Sequence, residues 1–216
     1  MSLRLAGASL IFAAALFWLA WALMPGVGIN DPGTILDLVG QHAARVRASV
    51  VAQLLSAAAY APALMGLVAT RRLRRQRSIR GGAILLLIGA MGSAADAVFH
   101  LLAVMLVGPG MDRAAVLPVL ERMQGDGLRF ILPMILCFFV GSGAVAVGFA
   151  RLGLVSRANP RSLVFAVALA LVGGSLAAGH AGAERAVGLC VLGLFSVSQA
   201  WMGIALWRRP AAGTGG

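Results

Sequence analysis

No lysine occurs in this sequence, and acids are nearly as scarce: seven Asp and Glu stand beside 18 arginines in 216 residues. Charged residues make up only 12% of the chain, about half the share of an ordinary soluble domain. Such a composition excludes a conventional water-covered globule, because too little polar surface is left to face solvent. Cysteine is limited to Cys137 and Cys190, both inside apolar stretches. Their placement excludes a disulfide framework and a Cys-x-x-Cys metal or redox site, and predicts buried free thiols. Phosphate-binding glycine loops, a serine nucleophile elbow and Walker-type motifs are missing as well. The apolar runs hold no His-x3-His, Glu-x2-His or paired-Asp motif. No catalytic residue is therefore predicted, and the expected function is non-enzymatic, either an accessory or scaffold subunit or a small-solute or proton pathway.

Long apolar runs are what the sequence does have. Hydrophobic residues make up 60% of it and the mean hydropathy is +0.92. Runs reaching the ~20 residues that a membrane span requires cover about 4 to 24, 47 to 70, 81 to 108, 127 to 150, 163 to 181 and 185 to 207. The expected fold is an all-α membrane protein with six transmembrane helices arranged as three hairpins, about 4–70, 81–150 and 163–207. These form one domain over 1–209, and residues 210–216 form a short flexible cytoplasmic tail. Ala20-Trp21-Ala22 imitates a small-x-small cleavage site, but the length of the first run marks it as a retained span rather than a signal core.

The net charge of +11 does not imply nucleic acid, because the arginines sit between apolar runs and not on a soluble basic face. They report orientation instead. Arg71, Arg72, Arg74, Arg75, Arg77 and Arg80 lie between the second and third runs, Arg151, Arg157 and Arg161 between the fourth and fifth, and Arg4, Arg208 and Arg209 at the ends. No acid accompanies them. The alternate loops balance six arginines, Arg45, Arg47, Arg113, Arg122, Arg129 and Arg185, with six acids. The positive-inside rule then places both termini in the cytoplasm, and Trp18, Trp21, Trp201 and Trp207 fall where interfacial aromatics are expected. The Arg71 to Arg77 cluster also suits anionic lipid head groups or a partner's acidic surface. Expected partners are membrane lipids and other membrane subunits, with no nucleic acid.

The even-numbered spans share a spacing. Arg47 to Gly66, Arg129 to Gly148 and Arg185 to Gly203 are separated by 19, 19 and 18 residues, which suggests an internal repeat of hairpins related by an axis along the membrane normal. The first two outer loops each carry an apolar-periodic stretch. In one, Thr34 and Asp37 resemble a capping pair; in the other, Asp112 precedes Val116, Leu117 and Leu120. A short amphipathic outer helix is predicted in each. Ala166, Ala170, Gly174 and Ala178 form a small-residue stripe that predicts a central, tightly packed fifth helix, and Gly89, Ser93 and Ala97 form another on the third. Pro62 and Pro133 are expected to kink their helices. The methionines show no MxxM-type copper cluster and read as apolar filler.

Asp96 is the one charged-type side chain well inside a span, where such groups are costly and face the bundle interior. Counting 1.5 Å per residue from the cytoplasmic side puts it roughly 22 Å into the hydrocarbon. Gly92, Asp96 and His100 share a helix face by their i, i+4, i+8 spacing. The same count brings His180 to the level of His100, and Gln53 and Cys190 to a similar depth. Three readings follow for a polar layer of Asp96, His100, His180, Gln53 and Cys190: a pin that fixes helix register, a pathway for a proton or small solute, or a haem or transition-metal site using His100 and His180 with Asp96. His42 reads as a solvated loop residue.

Taken with Arg4-Leu-Ala-Gly opening the first helix, the Asp-led segments around Asp31 and Asp112 and the arginine-rich turn after the second span, the layout resembles small six-span bacterial inner-membrane proteins known only as domains of unknown function. The resemblance covers nearly the whole chain and rests on composition and layout. It implies a multi-pass protein of the bacterial inner membrane and brings no catalytic motif.

Overall fold

The computed structural model describes residues 2–29, 31–108 and 110–208. Arg209 and the predicted tail at 210–216 lie outside the described residues. Every regular element among those described is helical. The six spans are α1 (Leu3–Leu23), α3 (Ala43–Ala69), α5 (Arg77–Leu106), α7 (Leu128–Arg151), the continuous segment α8 (Ala158–Ala168) to α9 (Gly174–Ala177), and α10 (Ala181–Trp207). Three shorter helices connect them: α2 (Pro32–Gln41), α4 (Arg71–Arg75) and α6 (Arg113–Arg122).

All six spans are long and apolar enough to cross a bilayer, and their outer faces show why lipid is the matching solvent. Phe130 and Leu176 are each 80% exposed, and Val164 is 70% exposed. In water such contiguous apolar surface would drive aggregation; in hydrocarbon it carries no penalty. The class of protein is therefore a polytopic α-helical membrane protein.

α1 packs on α3 and α10, α3 on α5, and α5 on α7, while the fifth span leans chiefly on α10. Close approach is bought with glycine. Gly7 on α1 and Gly203 on α10 face one another so tightly that a Cβ on Gly7 would sit 2.5 Å from the Gly203 carbonyl oxygen. A Cβ on Gly89 would collide with the backbone of Phe138 on α7, so the Gly89, Ser93 and Ala97 stripe does pack as expected. Around this seam Phe138 stacks on Phe17 with centroids 4.9 Å apart and meets Tyr60 edge-on at 5.3 Å.

Four expectations are corrected. The fifth span is peripheral, with only 17% of its apolar window buried; of its stripe Ala166 is buried while Ala170 and Ala178 are exposed. Small residues allow close packing but do not compel it. Cys190 is exposed and Cys137 half-buried, both as free thiols. The cap of α2 is Asp31, whose Oδ2 accepts from the Thr34 backbone N–H at 2.7 Å and from its hydroxyl at 2.6 Å, in place of the Thr34 and Asp37 pair. Arg77 and Arg80 belong to the first turn of α5 and not to a loop.

The two short helices at the end away from Arg71–Arg80 form as predicted. Asp112 caps α6 by accepting from the Ala114 N–H at 3.0 Å. α2 and α6 lie together over a second apolar cluster that includes Leu36, Val39, Val116 and Leu120, separate from the main core. Arg113 on α6 grips both carboxylate oxygens of Asp37 on α2. That exposed fork holds the Asp37 carboxyl below the usual carboxylate range, as the bonds to Thr34 do for Asp31.

Candidate functional site

Asp96, on α5, is 8% exposed. The Gln53 side-chain amide on α3 donates to its Oδ2 at 2.8 Å and reaches Ser93 Oγ at 3.4 Å. On one side of this pair is a void of about 30 Å³ bounded by Gln53, Ser93, Asp96 and Phe138, room for about one water among polar partners. On the other side Asp96 meets a cavity of about 230 Å³, into which His100, Phe99 and Trp21 also face.

The cavity lies at the end of the bundle that carries α2 and α6. Its walls come from the turn after α1, from Leu38 and Val39 of α2, and from Met123 and Gln124. The last two begin a π-helical turn, Met123–Gly127, that leads into α7; such wide turns recur at functional sites. Two arginines fix the turn after α1. Arg185 donates to the Pro25 carbonyl at 2.8 Å and to that of Ala22 at 3.2 Å, and Arg45 donates to Ala22 at 3.0 Å. Both sit where the helix C-terminus leaves unpaired carbonyls and a partial negative charge.

His100 Nδ1 stands 3.6 Å from Asp96 Oδ2. That is beyond hydrogen-bond range, so the two attract only when the imidazole is protonated. His100 Nδ1 and Trp21 Nε1 are buried without a protein partner among the described residues, and their rings meet edge-on at 6.1 Å. Buried polar atoms are normally paired. Two orphans beside a carboxylate on one cavity make a surface able to receive a small polar ligand or a proton.

Of the predicted layer, the structure joins Gln53, Asp96 and His100. It does not bring in His180, which is exposed at the start of α10, or Cys190, exposed further along it. Neither lines the cavity. Among the described residues no three His, Cys, Asp or Glu gather closely enough to hold a metal ion. His42 is exposed between α2 and α3. Arg71, Arg72, Arg74 and Arg75 are exposed at the opposite end, on a short helix anchored by buried Leu73, and Arg77 is exposed where α5 begins. Sequence reasoning placed Trp21 at an interface and Ser93 in a packing stripe, and so missed their part in the site.

A second buried polar network, also missed, crosses the bundle below. Tyr60 OH donates to Gln199 Oε1, the Gln199 amide donates to Ser142 Oγ at 2.7 Å, and Ser142 donates to the Phe138 carbonyl at 2.8 Å. Uncharged polar side chains inside apolar runs were the signal that would have found it. Comparison with protein-family models, with curated proteins and with solved structures finds no match to this chain.

Proposed function

We propose that this protein is a non-enzymatic membrane protein providing a small-solute or proton pathway through the cavity above Asp96, with its arginine-rich end in the cytoplasm of a bacterial inner membrane. The observation that carries the reading is Asp96 itself, a carboxyl group lining a cavity of about 230 Å³ beside two buried polar atoms that have no partner among the described residues. A carboxyl group so placed can take a proton from the cavity, and protonated His100 would stabilise its anion. Under the positive-inside rule the cavity faces the outside of the cell.

A register pin is the second reading, favoured by the Gln53 to Asp96 bond between α3 and α5. Reconstitution with an entrapped pH dye separates the two. A pathway predicts proton flux under an imposed gradient that Asp96→Asn abolishes and His100→Ala lowers, with the melting temperature of Asp96→Asn close to wild type. Unchanged flux in Asp96→Asn would leave the pin.

A further inference from the structure

A larger cavity lies elsewhere, at the arginine-rich end. It is a groove of about 780 Å³ between α7 and the fifth span, floored by Phe195 of α10. Its walls are apolar, with Val140 and Val147 on one side and Val164 and Val167 on the other. Along α7 it runs from Val140 to Arg151, roughly 16 Å at the helical rise, or about half a hydrocarbon core. The groove exists because the fifth span packs chiefly on α10 and leaves its seam with α7 open.

Three arginines, Arg151, Arg157 and Arg161, line its mouth. All three are exposed, and none is paired with a carboxylate among the described residues. No acid occurs in the sequence between Asp126 and Glu184. α8 begins at the same place with no side-chain cap, so the positive end of its backbone dipole adds to the field. A trough that is apolar along its length and cationic at one end matches one chemistry: a fatty chain joined to an anionic head.

We propose that this groove is a binding site for one anionic phospholipid, its acyl chain lying between α7 and the fifth span and its phosphate held by Arg151, Arg157 and Arg161. Simple attraction to a charged leaflet would act on every exposed arginine at that end; the groove adds shape and a fixed depth.

The proposal is tested on full-length protein in neutral detergent by native mass spectrometry with added phosphatidylglycerol or phosphatidylcholine. The membrane reading is checked separately, by whether the chain needs detergent to stay monodisperse. Wild type should retain phosphatidylglycerol and not phosphatidylcholine. R157Q/R161Q should bind roughly thirty-fold more weakly, from the usual strength of two arginine contacts at a charged surface. Gly143→Phe should lose binding by filling the groove; a Cβ there meets nothing within 4 Å, so the helix itself tolerates the change. R4Q/R208Q removes the same charge from outside the groove and should bind like wild type. Equal retention of phosphatidylcholine, equal loss in R4Q/R208Q, full binding in R157Q/R161Q, or displacement by inorganic phosphate would each overturn it.

Discussion

Gln53 meets Asp96 across the α3 and α5 contact with 2% of its own surface exposed. Removing its amide strands a buried carboxyl group, whereas changing Asp96 to Asn keeps a hydrogen-bonding shape. Gln53→Leu should therefore cost about 1 kcal/mol, in line with polar pairs inside membranes, and lower the melting temperature in detergent by roughly 2–4 °C; no change would mean that the bond contributes nothing. At this scale the sequence was informative where chemistry is rare. Asp96 is conspicuous as the lone acid in a span, and helical spacing brings His100 with it. His180 failed because the depth count assumed a helix running through it. In the structure α9 stops at Ala177 and Gly179, at a φ of +82°, turns the chain, so His180 falls beyond the helix that was to carry it. Tyr60 and Gln199 were overlooked because neutral polar residues alter an apolar run too little to stand out.

The short helices over the cavity form a lid, joined to each other by their apolar cluster and by an exposed fork, Arg113 to Asp37. Because Arg113 depresses the Asp37 carboxyl in the folded state, the fork stabilises the lid at neutral pH and is lost as the pH falls through that lowered value, below the ordinary carboxylate range. Spin labels at Gln41 and Met111, on the two sides of the fork, should give a constant distance from neutral to mildly acidic pH that broadens in stronger acid. Asp37→Asn should broaden it at every pH, and a narrow distribution in that variant would show that apolar contact alone holds the lid. Amphipathic periodicity and an Asp at each start made these helices legible. Their mutual contact was not, because a surface ion pair between two loops leaves no pattern in either.

Six apolar runs could be read directly from the sequence, since the hydrocarbon thickness sets a length that no other feature of the chain imitates. Packing order could not. α1 is apolar on nearly every side, so nothing in its sequence says that Gly7 meets Gly203. The small-residue stripe of the fifth span pointed to the centre when the helix lies at the edge. Orientation rests on the arginine imbalance and has a direct check in cells. With the native cysteines replaced, a membrane-impermeant thiol reagent should label Glu121→Cys in intact cells and Arg75→Cys only after permeabilisation. The reverse pattern would invert the topology and point the Asp96 cavity inward.

The contact of α1 with α10 also governs how the bundle is made. Arg185 reaches back 160 residues to the Pro25 carbonyl, so the face of α1 that bears Gly7 waits, unpartnered in the bilayer, while the intervening spans are synthesised and inserted. Assembly therefore closes late. Until α10 arrives, the turn after α1 has only Arg45 of the two arginines that fix it, and the pocket it walls stays unfinished.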